Sequence, residues 1–389
     1  MSYEKTDKLE QRKSRRVRLA VLAAFLLVAT GLSIAHQYVS GFAKPVGVDA
    51  LCPFGGLETL YSLLLGGTFV KNLAASSVVL LLGAIVASLV WRRSFCGQIC
   101  PLGLLQEMFG SAGKRILGRP HRFVLPGWLD RPARLLKYVV LAVFLVWTWR
   151  VGELVMKPYD PWATWAHLTS AELLTDFGIG LAVLVVALVG SFFYERFFCK
   201  YLCPTGAFLG LFSKLSFLRI RRDPDACIDC SICDRACPVN ISVSTADEVT
   251  STECISCNSC VNACPAKGAL EVTTPQGTRI SALKTTAIVV GLTLALIGAG
   301  TLTGNFDWTK VSLATQVERT GEFNPELIKG MTTLAEIAEV TGVPVEVVAA
   351  QFGVPVGEAN TALKELKTTY GFTMEDVRAW AESAVGIQE

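Results

Sequence analysis

Of the 13 cysteines in the chain, eight lie in one stretch, four lie in a second set of motifs, and Cys52 stands apart. Between Cys227 and Pro265 the sequence reads Cys-Ile-Asp-Cys-Ser-Ile-Cys-Asp-Arg-Ala-Cys-Pro. After a short spacer it reads Cys-Ile-Ser-Cys-Asn-Ser-Cys-Val-Asn-Ala-Cys-Pro. Each run is C-x2-C-x2-C-x3-C-P. Three thiolates on one tight loop can each take one iron of a cubane, and the fourth, before proline, points to the neighbouring cluster. The spacing therefore predicts one [4Fe–4S] centre on Cys227, Cys230, Cys233 and Cys264, and another on Cys254, Cys257, Cys260 and Cys237. Structural zinc uses two spaced pairs of ligands, and disulfides give no reason for the same triplet-plus-one twice. This chemistry carries electrons.

The second set is Phe95-Cys96-Gly-Gln-Ile-Cys100-Pro101-Leu-Gly103 and Phe198-Cys199-Lys-Tyr-Leu-Cys203-Pro204-Thr-Gly206. A proline directly after the second cysteine suits the first position of a helix. The segments that follow, Leu102–Met108 and Thr205–Phe217, are apolar and helix-compatible. The thiols would then sit at helix N-termini, where unpaired amides favour deprotonated sulfur. We expect a third iron–sulfur centre on Cys96, Cys100, Cys199 and Cys203, just inside a membrane surface. A dithiol/disulfide pair or structural free thiols are the alternatives.

The elements that position these residues are membrane helices. The chain is 51% hydrophobic and only 18% charged, with mean hydropathy +0.45. Crossing a hydrocarbon core of ~30 Å takes about 20 helical residues. Candidate spans are Leu19–Ala35, extendable to Val39, then Leu73–Trp91, Leu135–Val155, Phe177–Tyr194 and Thr285–Gly304. In the third, Lys137 is expected to snorkel at one end, and Arg150 to pair with Glu153 at the other. Ser14-Arg15-Arg16 has the look of an export signal, but no small-residue cleavage site follows, so a positive-inside anchor is expected. Residues 92–137 hold nine Lys/Arg and 195–222 hold six, against two in 41–71 and one in 151–176. Basic loops stay in the cytoplasm, which puts the N-terminus and both cysteine sets there and residues 305–389 outside.

The expected fold is mainly α: a polytopic membrane protein with two repeated transmembrane hairpins and a fifth span. It also has an inserted α+β two-cluster ferredoxin-like domain and a small all-α C-terminal domain. Boundaries fall at 1–18 (basic N-terminus), 19–222 (four-helix membrane domain), 223–275 (ferredoxin domain), 281–304 (fifth span) and 305–389 (outer domain). Each hairpin ends in one C-x3-C-P motif, and the outer loops match loosely, Cys52-Pro53-Phe54 against Asp160-Pro161-Trp162. Both copies run in–out–in, so an axis along the membrane normal would bring four thiols together.

The paired F-C-x3-C-P motifs followed by the double ferredoxin motif resemble the NapH/NosR-type membrane polyferredoxins, over residues 15–275. That resemblance implies electron transfer between the quinone pool, or a cytoplasmic donor, and the redox partner of a respiratory reductase system in a bacterial inner membrane. The resemblance implies two departures: from the NosR branch, which carries an extended N-terminal flavin domain, and from the short NapH type, which lacks a fifth span and an outer domain. Two other readings stay open, a copper-reducing polyferredoxin of the CcoG type and a redox sensor.

A quinone site needs a proton acceptor and a hydrogen-bond donor at headgroup level. His36, Asp160 and His167 are the candidates for the quinone vicinity, with Glu58 beside them and Cys52 as a packing or redox contact. Trp149, Trp162 and Trp165 lie where an interfacial aromatic belt belongs. No C-x-x-C-H, Walker or G-x-G-x-x-G motif occurs. Gly291, Ala295 and Ala299 form a small-residue row suited to helix packing. From Thr332 the chain repeats at an offset of 29, Leu334-Ala-Glu336-Ile337 with Gly342 matching Leu363-Lys-Glu365-Leu366 with Gly371. With 13 acids against 6 bases over 304–389, this module suits protein docking and not nucleic acid; a purely structural cap is the alternative.

Overall fold

The computed structural model describes residues 8–39, 45–47, 52–57, 75–118, 125–151, 155–170, 173–309, 312–320, 323–328, 330 and 332–385. It divides into two compact units, Met1–Gln37 with Gly47–Phe306, and Tyr38–Val46 with Asp307–Glu389. Glu58 and Glu153 lie outside the described residues.

The first unit begins with α1 (Lys8–Tyr38, 31 residues), whose length of about 46 Å exceeds the hydrocarbon thickness. Its basic N-terminal turns belong to the protein interior as much as to solvent, since Ser14 and Arg18 are buried. Then come α2 (Ala75–Trp91), α3 (Ser94–Gln98), α4 (Pro101–Ile116), α5 (Gly127–Ala133) and α6 (Leu136–Val151). The second repeat supplies α7 (Pro161–Ala166), α8 (Gly178–Phe193), α9 (Phe197–Tyr201) and α10 (Pro204–Phe212). Three helical stretches are long and apolar enough to cross a membrane, Lys8–Tyr38, Gly127–Val151 and Ala282–Leu302; Ser76–Trp91 and Gly178–Phe193 are apolar but shorter. The chain is thus mainly helical, with three candidate spans and two short apolar helices where five spans are expected.

Close packing has local causes. α4 lies on α8, where a Cβ at Gly113 would stand 1.9 Å from the Phe192 carbonyl oxygen and one at Gly110 2.8 Å from Glu195. The final helix of this unit, α13 (Ala282–Leu302), packs on α2. Its contact face is not the Gly291, Ala295 and Ala299 row, whose residues are exposed. Val289, Thr293 and Gly300 are buried instead, and Gly300 admits Val79 at 3.1 Å from its missing Cβ. The covered face is set by where α2 packs, with glycine at the closest approach.

Between α10 and α13 lie β1 (Arg219–Arg222), α11 (Ile232–Ala236), α12 (Ser259–Ala263), β2 (Leu270–Thr273) and β3 (Arg279–Ile280). The strands form one antiparallel sheet in the order β1-β2-β3, with Ile220 opposite Val272 and Val272 opposite Ile280. The sheet so draws in residues before 223 and after 275. Its core is continuous with the helices: Ala87, Trp91, Phe95 and Leu209 share one buried cluster with Ile220, Ile255 and Val272.

Lys137 does not snorkel. Its side chain is fully buried and ion-paired with Glu253, because the third span enters the protein beside that carboxylate. Trp162 is buried too, so of the three tryptophans Trp149 alone is strongly exposed.

The second unit is helical: α14 (Leu313–Thr320), α15 (Leu334–Thr341), α16 (Val345–Gln351), α17 (Leu363–Tyr370) and α18 (Met374–Val385). The offset of 29 is geometric. Leu334 and Leu363, Ile337 and Leu366, and Val348 and Val377 are all buried in one core. Gly342 and Gly371 end α15 and α17 in the left-handed region at φ 65° and 78°, the conformation that favours glycine at a helix end. Thr333 bridges Ala362, its own repeat mate.

Candidate iron–sulfur centres

The two C-x2-C-x2-C-x3-C runs wrap two cavities. One is lined by Cys227, Cys230, Cys233 and Cys264. The other is lined by Cys237, Cys254, Cys257 and Cys260. Each loop turns on two non-glycine residues in the left-handed region. They are Asp229 and Ser231 in the first, and Ser256 and Asn258 at matching places in the second. Such backbone is uncommon and clusters at functional sites. Short helices α11 and α12 pack together and deliver Cys237 and Cys264 in extended geometry, each to the other run's cavity. Among the described residues no three His, Cys, Asp or Glu side chains converge on a point where one ion would sit. Four thiols lining one cavity are the donor set of an iron–sulfur cluster.

The cavities differ in access. Cys227 and Cys230 are half-buried, whereas Cys254, Cys257 and Cys260 are buried. We call them outer and inner. Burial pushes the Cys237 thiol up to about 12 and Cys233 up to about 11, so these sulfurs become anionic against bound cations rather than alone.

The C-x3-C-P cysteines also come together. Pro101 and Pro204 occupy the first turns of α4 and α10, and Cys100 and Cys203 are their N-cap residues. The Gly206 amide donates to Cys203 Sγ at 3.3 Å. Gln106 Nε2 donates to Cys199 Sγ at 3.1 Å. Cys203 lies within electrostatic reach of Cys199, Cys96 and Cys100. Burial pushes Cys96 up to about 11 and Cys100 up to about 12.

This third site is pressed onto the inner cavity. A Cβ at Gly97 would stand 1.9 Å from the Ile255 carbonyl oxygen. Gln98 Nε2 donates to the Ser256 carbonyl at 2.6 Å, and Ser256 Oγ donates to the Trp91 carbonyl at 2.9 Å.

Sequence reasoning missed the charged frame around this site. Arg93 Nη1 donates to Gly206 O at 2.9 Å, and its Nη2 to Glu253 at 2.8 Å. Arg196 Nη1 donates to Cys96 O at 2.8 Å, and its Nη2 to Glu107 at 3.1 Å. Each arginine of one repeat reaches backbone of the other. A second cation shares each carboxylate: Lys137 on Glu253, Arg18 on Glu107 at 2.6 Å. Burial alone would push Glu107 up; Arg18 and Arg196 outweigh it and hold the carboxyl at about 2. Each triad carries one net positive charge, which favours an anionic group between them. The signal was present in the sequence, since both motifs read Arg-x-Phe-Cys two residues further upstream.

The quinone candidates lie at the other end of the helices. Asp160 caps α7, accepting from the Trp162 amide at 2.9 Å. Cys52 Sγ faces its Oδ2 at 3.7 Å, so the loosely matched outer loops meet. His167 ends α7, its Nδ1 2.8 Å from Ala163 O and its ring stacked on Phe177 at 4.2 Å. His36 lies in the last turn of α1, next to Gln37, whose Nε2 donates to Ala166 O at 2.6 Å.

Comparison with known proteins finds matches over both cysteine regions. Residues 73–120 and 177–222 match the family described as "4Fe-4S binding domain", and residues 219–271 match the "4Fe-4S dicluster domain". The chain is 35% identical to YccM of Escherichia coli (strain K12) over 221 residues, 54% of this chain and 59% of that protein. It is 30% identical to an uncharacterised protein of Methanocaldococcus jannaschii over 194 residues, 50% of this chain and 75% of the relative. It is 28% identical to the ferredoxin-type protein NapH of Escherichia coli (strain K12) over 168 residues, 42% of this chain and 54% of NapH. The chain thus spans between half and two thirds of the lengths of YccM and NapH. No solved structure matches it.

Proposed function

Since this chain belongs to the NapH/NosR-type membrane polyferredoxins, ferredoxin-type electron-transfer proteins, we propose that it relays single electrons through three [4Fe–4S] clusters. The clusters are outer, inner and membrane-surface, and they link a cytoplasmic redox partner to a quinone. Cys227, Cys230, Cys233 and Cys264 hold the outer cluster. Cys237, Cys254, Cys257 and Cys260 hold the inner one, and Cys96, Cys100, Cys199 and Cys203 hold the one at the membrane surface. When bound, each cluster supplies a one-electron couple whose potential its surroundings set.

The observation that carries this reading is the contact between the Cys96–Gln98 turn and the Ile255–Cys257 loop. It brings the turn that carries Cys96 directly against the inner cavity. The outer cavity, with its half-buried Cys227 and Cys230, is the entry for a soluble partner. At the far end, Asp160 and His167 serve as proton acceptor and headgroup donor to a quinone, with His36 beside them. The acidic helical unit serves as a docking module on the extracytoplasmic side.

The test is iron and sulfide content of anaerobically purified protein, followed by EPR of the dithionite-reduced state with and without a quinone analogue. About twelve irons per chain and signals that vanish on adding quinone are expected. About eight irons would remove the membrane-surface cluster from the path, and signals that persist would remove the quinone.

A further inference from the structure

The frame around the membrane-surface thiols has an unused part. Arg93 and Arg196 are buried at 1% and 0% exposure, and each spends Nη1 on a carbonyl and Nη2 on a carboxylate. In both, the Nε–H is buried with no hydrogen-bond partner among the described residues. Leaving a buried donor without a partner is costly, and here two stand at repeat-related places. The same is true of Arg92 and Arg222, which lie within electrostatic reach of Cys254 and Cys227. Arginines with a spare Nε–H thus stand beside all three thiol sets. Arg196 holds its place at φ 59°, a left-handed backbone that a non-glycine residue rarely adopts. Its charge reaches Cys199 and Cys100 of one site and Cys257 of the inner one.

We propose that Arg93 and Arg196 are positioning residues of the membrane-surface cluster, each donating its spare Nε–H to a cluster sulfur and so raising that cluster's reduction potential. The proposal rests on the three-cluster reading. It goes further in assigning the acceptor that two buried donors lack, and in naming the groups that set how readily this site accepts an electron from the inner one. A hydrogen bond to sulfur stabilises the more negative, reduced state, so its loss lowers the potential. The two arginines come from different repeats, and each reaches backbone of the other.

The experiment uses full-length protein in detergent, with arginine labelled by nitrogen-15. Pulsed EPR of the reduced membrane-surface cluster should show coupling to arginine nitrogen in the unmodified protein, a measurement that needs no variant. In redox titration, Arg93→Lys and Arg196→Lys keep the charge and the carboxylate partner but lose the Nε–H. At the ambient potential that half-reduces the original cluster, each should lower its reduced-to-oxidised ratio about tenfold, or 59 mV for a one-electron couple. The outer cluster should be unmoved. Twelve irons with no arginine coupling and unchanged ratios in both variants overturns the proposal while leaving the cluster in place. About eight irons in the unmodified protein overturns the cluster reading itself, and this proposal with it.

Discussion

In the first repeat, Arg93 is held by Glu253, which belongs to the ferredoxin segment and also binds Lys137. In the second, Arg196 is held by Glu107, which belongs to α4 and also binds Arg18 of α1. The cysteines, prolines, glycines and arginines are shared between the copies; the carboxylates and second cations are not. Among the shared residues, Arg93 reaches Gly206 of the second copy and Arg196 reaches Cys96 of the first. Among the unshared ones, Glu253 lies in the segment that follows the second copy and Arg18 in the N-terminal helix. One triad therefore fastens the ferredoxin segment to the membrane part, and the other fastens the membrane part to itself.

The largest effect that would test the equivalence of the repeats is loss of a cluster. Cys96→Ala and Cys199→Ala should each cut iron from about twelve to about eight per chain, with both ferredoxin signals retained. Equal loss from either repeat means one shared centre. Loss from one variant alone would mean that the repeats do not meet in a common site.

The carboxylates should then separate the copies. Removing one partner of a buried ion pair costs about 3–5 kcal/mol, and here each removal strands two cations. Glu253→Gln should be the costlier, since its side chain is 10% exposed against 18% for Glu107. It alone should speed proteolysis within 223–275, because it unfastens that segment. Thermal unfolding and limited proteolysis of both variants read this; the reverse ranking would mean that the tether is elsewhere.

Glu107 also predicts a pH dependence. Its carboxyl, held at about 2, lies below the usual value of about 4.3 for an unfolded chain. A depressed pKa contributes stability that is complete above the unfolded value and is lost as pH falls through the folded one. The contribution is roughly 3 kcal/mol at neutral pH. The stability gap between the unmodified protein and Glu107→Gln should therefore be constant above pH ~5 and close toward pH ~2. A gap that stays constant through this window would mean that Glu107 is not the titrating group.

How much of this was legible in the sequence follows from the range of each interaction. The cysteine runs, the prolines that start α4 and α10, the apolar helices and the offset-29 repeat are local patterns. Their spacing specifies the geometry, so reading them needs no fold. Lys137 was misread as snorkelling because its partner Glu253 lies 116 residues away and no periodicity links them. The Gly291 row was misread because which face of α13 is covered depends on where α2 lies. Arg93 and Arg196 are the instructive case, being local and repeated. They sit three residues before Cys96 and Cys199, but that they are buried is recognised only once the fold encloses them.

The smallest effect distinguishes the two crossing arginines by the glycines they cover. A Cβ at Gly103 would stand 2.3 Å from Arg196 Nη1 and 3.0 Å from Cys96 O, whereas one at Gly206 would meet Arg93 Nη1 at 3.3 Å. Both glycines lie in helices, where alanine is favoured by about 1 kcal/mol. At Gly206 that gain should offset a shift of a few tenths of an ångström, leaving Gly206→Ala near neutral. At Gly103 the clash involves backbone as well as a guanidinium already fixed by two bonds, and overpacking of this kind costs about 1–3 kcal/mol. Gly103→Ala should therefore lower the unfolding temperature and disturb the EPR line shape of the membrane-surface cluster, while Gly206→Ala changes neither. Equal effects would mean that Arg196 has room to move, and the second repeat's clamp would then be no tighter than the first.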